Sequence, residues 1–226
     1  LLAGDFVGFT AITDPFWPRI DRYLWEWLDR ASEHAKIVTC VSKWGISREV
    51  MKRLATYPSF FLVLGVTGNF SIEKVPLKTH LRTLEMAKEF WVPCLPISHP
   101  YISGVSDLSF LPQIKNMGYD YFDVKGLRYC SANMSSWMPD TSKPYYQGFE
   151  DSEILPEDGW REMVADAGLK LLSPRAWYLA EAVKRNLSPR LSVEEASRLV
   201  DMILNIANVV SSDIDNVRDA AILRRL

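Results

Sequence analysis

The stretch Phe-Val-Gly-Phe-Thr-Ala-Ile-Thr-Asp-Pro-Phe-Trp-Pro, residues 6–18, decides how the rest of the chain is read. Residues 6–12 form an apolar run, Thr13 and Asp14 follow at its tip, and Pro15 stops it. In parallel α/β folds ligands bind at the C-terminal strand ends, where loops converge over a rigid sheet. A Thr-Asp pair delivered to such a tip is a candidate ligand contact, although an Asp before proline also serves as a plain turn residue.

Four similar runs follow, at residues 37–41, 60–66, 92–97 and 119–124. Their starts lie roughly 25–30 residues apart, the length of one strand-loop-helix-loop unit. They are apolar almost throughout rather than alternating, which marks strands buried on both faces of a parallel sheet. The helices between them are partly legible. Ile20, Leu24, Trp27 and Leu28 line one face of the first, and Leu77, Leu81 and Leu84 line a later one with Arg82, Glu85 and Lys88 outward. Ser106 is expected to cap a further helix carrying Leu108, Leu111 and Ile114 and stopping at Gly118, with Pro112 bending or shortening it.

Residues 131–158 break the pattern, alternating Asn, Ser, Pro, Asp and Gly with Trp137, Tyr145, Tyr146 and Phe149. A loop of this length reads as an ordered lid or as a segment packed beneath the edge of the fold. Residues 157–167 then predict a helix, 169–172 a short strand and 175–185 another helix. Residues 192–226 are strongly helical, opened by a capping box of Ser192 and Glu195. Their apolar positions Leu199, Ile203 and Ile206 suit a docked helix or a protein partner.

Composition sets the class. The 226 residues are 48% hydrophobic and 24% charged, enough to bury a core as one domain with a small appendage. The formal charge of -2 gives no overall pull toward nucleic acid or membrane. No apolar run reaches the roughly eighteen residues of a membrane-spanning helix. Three scattered cysteines, Cys40, Cys94 and Cys130, suggest a reducing, cytoplasmic setting. Together with His34, His80 and His99 they show no CxxC or HxxxH spacing, so a zinc or cluster site made by this chain alone is not expected. The opening Leu1-Leu2-Ala3 has neither an initiator Met nor the basic start of a signal peptide, and a trimmed product is the expectation.

Chemistry in such a fold should follow each strand. The tips read Thr13-Asp14, Ser42-Lys43-Trp44, Gly65-Val66-Thr67-Gly68-Asn69, Ser98-His99-Pro100 and Asp123-Val124-Lys125-Gly126. Lys43 at such a mouth serves as a clamp for a carboxylate or phosphate, as an amine nucleophile, or as a solvated loop lysine. Gly65 and Gly68 permit close backbone approach to a ligand. His99 is a base, a ligand or a packed histidine. Five polar tips on one rim describe a ligand-binding mouth.

The ordered set of tips resembles the radical S-adenosylmethionine (radical SAM) enzymes, and within them the spore photoproduct lyase-like branch. The resemblance rests on Thr13-Asp14-Pro15-Phe16-x-Pro18, then Val41-Ser42-Lys43, then residues 64–69 with Glu73 following. Residues 96–107 resemble the family's fifth-strand segment, and Asp123-Val124-Lys125-Gly126-Leu127 its sixth. The resemblance implies a partial (β/α)6 barrel lacking its first strand here, with residues 1–130 as the core, 131–158 as a lid or substrate loop, and 159–226 as a mostly helical extension. It implies S-adenosylmethionine across the mouth. Thr13 and Asp14 would lie near its amino group and Lys43 would meet its carboxylate. Gly65 or Thr67 would contact the ligand from the next strand. Ile97 and Ser98 would flank the adenine, and Val124 and Lys125 would close the far side. Such enzymes carry a [4Fe–4S] cluster on a CxxxCxxC loop after the first strand. Neither lies in this chain, so the cluster ligands are expected upstream of Leu1. The implied chemistry is hydrogen abstraction by a 5′-deoxyadenosyl radical, of lyase or transferase type, with Tyr129 or Cys130 as hydrogen-relay candidates. A flavodoxin or ferredoxin would supply the electron, and the substrate is a peptide, a nucleotide or a small metabolite. Two other readings fit the residues: a barrel lyase or aldolase with Lys43 or Lys125 as a Schiff base, and a cluster-free scaffold assembling through residues 192–226.

Overall fold

A computed structural model of the chain describes residues 6–9, 14–16, 21–35, 37–69, 73–128, 138, 140, 153–174, 177, 178 and 181. It is an α/β fold built on a six-stranded, all-parallel sheet. The strands are β1 (Phe6–Phe9), β2 (Ile37–Ser42), β3 (Phe60–Gly65), β4 (Cys94–Ser98), β5 (Tyr121–Val124) and, later in the chain, β8 (Lys170–Leu171). Their order in the sheet is their order in the chain, with no reversal. Right-handed crossovers that all advance in one direction place the helices on one face of the sheet. That arrangement is consistent with a partial barrel.

Register sorts the side chains into two layers. Val38, Cys40, Phe60, Leu62, Leu64, Cys94, Phe122 and Val124 pack with Leu24, Leu28, Met51, Leu54, Leu84 and Ala87 of the helices. The alternate positions Thr39, Phe61, Val63, Gly65, Leu95, Ile97 and Asp123 stand opposite one another on the inner face. Both faces of β3 are covered, and all six of its residues are buried. At the N-terminal end of the inner face, Trp177 and Tyr178 set their rings edge-on to Phe61, at 5.8 and 6.1 Å between centroids.

The helices follow from local signals. Helix α1 (Asp21–His34) buries Leu24, Leu28 and Ala31. Helix α2 (Arg48–Leu54) starts where the Ser47 side chain accepts from the Val50 amide, a cap that the apolar pattern alone does not reveal. Helix α3 (Leu77–Glu89) buries Leu84 and Ala87, keeps Arg82, Glu85 and Lys88 exposed, and turns His80 and Thr83 inward. Helix α4 (Leu111–Asn116) departs from expectation: Phe110, not Ser106, occupies the N-cap, and Pro112 falls in the first turn. Proline is tolerated there because its missing N–H has no intrahelical acceptor to lose, so it starts the helix rather than bending it. The Ser106 hydroxyl instead donates to Asn69 Oδ1 at 2.5 Å and accepts from the Ile102 amide at 2.7 Å.

Beyond residue 130 three further elements are described, two strands and a helix. β6 (Leu127–Arg128) pairs antiparallel with β7 (Glu153–Ile154), and helix α5 (Trp160–Asp166) leads into β8 beside β5. The sheet thus runs into the segment expected to be a helical extension, and the predicted loop ends in a short ladder. Residues 192–226, and the proposed assembly helix within them, lie outside the described residues. No described helix is long and apolar enough to cross a membrane.

The β6–β7 contact depends on Gly126, where an added Cβ would sit 2.2 Å from the Ile154 carbonyl oxygen. Gly126→Ala is expected to cost about 1–3 kcal/mol through overpacking against backbone that cannot rotate away. Urea denaturation of the variant checks it, and an unchanged midpoint would show that the ladder yields freely.

Candidate functional site

All six parallel strands point the same way, so their C-terminal ends share one rim, and the polar residues gather there. Asp14 reaches the rim from the turn after β1. Its Oδ1 accepts from the Phe16 amide (3.0 Å) and the Ser42 hydroxyl (2.8 Å). Its Oδ2 accepts from the Lys43 amide (2.7 Å), the Trp44 amide (3.1 Å) and again the Ser42 hydroxyl (2.9 Å). A carboxylate offers about four lone-pair sites, and these donors occupy them. Asp14 therefore fixes the tip of β2 rather than waiting for a ligand amino group.

Lys43 is held at every other point as well. Its carbonyl oxygen lies 2.8 Å from His80 Nε2, the geometry of an Nε2–H donor. Its stem passes over Gly65, where an added Cβ would lie 2.8 Å from Lys43 Cγ. Its Nζ reaches Glu73 Oε1 at 3.1 Å, with 43% of the lysine side chain and 19% of the glutamate exposed. Glu73 is aimed by Thr67, whose hydroxyl donates to Oε2 at 2.6 Å. The result is a cation and a carboxylate side by side, each held from behind, at the edge of solvent.

The neighbouring tips are locked to this one. The Val66 amide donates to the Ile97 carbonyl at 2.7 Å, the Ser98 hydroxyl to the Thr67 carbonyl at 3.2 Å, and the Lys125 amide to the Ser98 carbonyl at 2.8 Å. The Asn69 side-chain amide donates to the Pro100 carbonyl at 3.0 Å. Farther along, Asp158 accepts from Tyr101 at 2.8 Å and from the Ser103 hydroxyl, tying the segment after β7 to the loop after β4.

The expected site residues therefore divide. Asp14 and Gly65 meet Lys43, and Lys43 and Thr67 meet Glu73, in one connected set of contacts. Ile97 stands in register with Gly65 on the inner face, and Lys125 lies one strand farther, just past the end of β5. Val124 packs in the helix-facing core, and its register partner Ser98 is fully buried with its hydroxyl on the Thr67 carbonyl. Thr13, Tyr129 and Cys130 lie outside the described residues. Glu73, already quoted after residues 64–69, and His80 complete the set; both belong to the unit of β3 and α3, so no spacing around Lys43 announces that they meet it.

Burial shifts two kinds of group here. Desolvation pushes the Cys40 and Cys94 thiols well up, on strands whose side chains at those positions face the helices. Desolvation also holds His80 below the ordinary histidine value, against the opposing pull of its bond to the Lys43 carbonyl and of Glu73. A separate cleft of about 310 Å3 opens at the other end of β4 and β5, lined by Lys88, Trp91, Cys94, Tyr119, Tyr121 and Trp177. There Lys88 donates to the Gly118 carbonyl at 2.6 Å and lies over the Tyr119 ring, a fold contact rather than a reaching group.

Comparison with protein-family models, with curated proteins and with solved structures finds no match to this chain.

His80 sets a pH dependence with a definite sign. Its folded value lies below the roughly 6.5 of an unfolded histidine, so between the two the unfolded chain binds more protons and stability rises with pH. Its contribution is whole above about pH 6.5 and is lost as pH falls through the folded value. The melting temperature is expected to drop less between pH 7.5 and 5 for His80→Gln, which keeps a neutral donor, than for the parent chain. Equal slopes in parallel thermal melts would show that His80 does not carry the effect.

Proposed function

We propose that the chain is the S-adenosylmethionine-binding core of a radical SAM enzyme, its sheet forming the wall of a partial (β/α)6 barrel. The observation that carries this reading is the Lys43–Glu73 pair, 3.1 Å apart on the rim above Gly65. A fixed cation beside a fixed carboxylate matches the carboxylate and ammonium of an α-amino acid. A zwitterionic methionyl head exchanges the internal pair for two charge-assisted contacts, and no net charge is left buried. The residues present fit this head: Lys43 would hold its carboxylate, Glu73 its ammonium, and the backbone of β4 and β5 would line the rest of the mouth. The order of tips along the chain supports the same ligand.

The described residues do not fit an iron–sulfur cluster. Cys40 and Cys94 sit in the helix-facing core, and no group of three His, Cys, Asp or Glu among the described residues could hold a metal ion. The reading takes its [4Fe–4S] ligands from outside them. In this enzyme class, bound S-adenosylmethionine is the source of the hydrogen-abstracting radical. The chain's own part is to bind it, to orient it across the strand ends, and to shield it on the inner face. A peptide, nucleotide or small-metabolite substrate and a flavodoxin- or ferredoxin-type reductant complete the proposal. The Schiff-base alternative is less well served, because Lys43 Nζ donates into Glu73 rather than presenting a free amine lone pair.

Calorimetric titration with S-adenosylmethionine tests the reading. The parent chain is expected to bind it. Lys43→Met should weaken binding about 10- to 100-fold, the range for losing a hydrogen bond to a charged group. Thermal melts of the variant verify that it remains folded. Absence of binding to the parent chain, or equal affinity in a folded Lys43→Met, would remove the reading.

A further inference from the structure

The cleft at the far end of β4 and β5 is an opening in the sheet itself. The ladder between these strands is two pairs long, Ile97 with Asp123 and Ser98 with Val124. The Pro93 and Ile97 carbonyls accept from the β3 side, from the Leu62 amide at 2.9 Å and the Val66 amide at 2.7 Å. The Ser98 carbonyl accepts from the other side, from the Lys125 amide at 2.8 Å. Alternate residues of a parallel strand turn their backbones to opposite neighbours, so Pro96 faces β5 as Ser98 does. Pro96 has no N–H to donate, and the ladder ends there. Past it the strands part, and the cleft of about 310 Å3 takes walls from both layers. Cys94 comes from the helix-facing core, Leu95 and Trp177 from the inner face.

Trp91 stands at its lip. Helix α3 closes with the Trp91 amide on the Lys88 carbonyl at 3.2 Å and the Val92 amide on the Ala87 carbonyl at 2.9 Å. This closure puts Trp91 in the left-handed region, with a φ of 59°. Glycine ordinarily fills that position, because a side chain there is strained. An indole costs the fold twice, adding the strain and leaving a ring that is 85% exposed. Backbone strain kept where glycine would serve marks a residue held for binding. The charges around the cleft, by contrast, belong to the fold. Lys88 Nζ donates to the Gly118 carbonyl at 2.6 Å and lies 4.3 Å from the centre of the Tyr119 ring, Asp120 meets Lys115 at 2.8 Å, and Glu181 has a contact of its own. A charged ligand would have to displace one of these. A flat neutral ring leaves them all in place and packs against Trp91, Tyr121 and Trp177. The volume falls at the small end of the roughly 300–1,000 Å3 of small-molecule sites, and walls from both layers enclose a molecule rather than a protein face. We propose that this cleft binds a neutral, planar, two-ring aromatic molecule stacked on Trp91. The site lies at the opposite end of the strands from the Lys43–Glu73 mouth and does not rest on the S-adenosylmethionine reading.

Titration of the full chain with indole, followed by ligand-observed NMR, tests the site. Indole is expected to bind, and tryptamine and indole-3-acetate, which add a charge to the same ring, to bind severalfold more weakly. Trp91→Gly should weaken indole binding about 5- to 100-fold, the range for losing one stacked ring. Its melting temperature should equal or exceed that of the parent, because glycine relieves the strain. Saturating S-adenosylmethionine should leave the affinity for indole unchanged. The comparison of ligands on the unmodified chain needs no variant to fold. Absence of indole binding, equal or tighter binding of either charged analogue, or competition by S-adenosylmethionine overturns the proposal. So does a Trp91→Gly chain that keeps the parent affinity or melts below the parent.

Discussion

The mouth depends on the carboxylate of Asp14. Amides of Phe16, Lys43 and Trp44 and the hydroxyl of Ser42 all converge on it, so the loop after β1 and the end of β2 become one unit. A strand end is ordinarily where hydrogen bonding runs out and the chain is free to fray. Here the exposed amides of the β2 tip find an acceptor carried in from the previous strand. That leaves Lys43 with its backbone fixed and only its ammonium free to choose a partner. Once the lysine is set, Gly65 must be bare beneath it, Glu73 must face it, and Thr67 must hold Glu73.

This dependence reassigns charge at the rim. Asp14 is the most conspicuous acid at a strand tip, yet it acts on the fold, while the acid that faces solvent beside Lys43 is Glu73. Hydrogen-bond saturation separates the two roles. Asp14 has its lone pairs filled by groups of its own fold. Glu73 is held by one hydroxyl and one ammonium, and the ammonium is itself half-exposed. A group that can exchange partners without leaving a buried donor orphaned is the one able to meet a ligand.

Much of the sheet was legible in the chain. Residues 60–65 are apolar on both faces because both faces of β3 are covered, and no alternating pattern can hide that. The same logic located β2, β4 and β5. Helix α2 escaped notice because only Met51 and Leu54 are buried in it, too few positions to show a period. The β6–β7 ladder is two residues long on each side, and its partner lies far along the chain, so nothing local predicts it. Ser106 looked like a helix cap because its residue type suits one. Its hydroxyl was taken instead by Asn69, a contact between loops that only folding creates. The site divides along the same line. Lys43 stands out because it follows a strand directly, whereas Glu73 and His80 owe their roles to crossovers that return each unit to the same rim.

The cysteines of β2 and β4 have a consequence of another kind. Both side chains face the helices and burial raises both thiols above their ordinary value, but Cys40 is fully enclosed whereas Cys94 also borders the cleft at the end of β4 and β5. The thiolate is the species that reacts with alkylating reagents. Cys40 therefore becomes reactive only when helices and sheet part. Its labelling is an intrinsic clock for that opening, read from a strand that flanks β3, with no probe added to the chain.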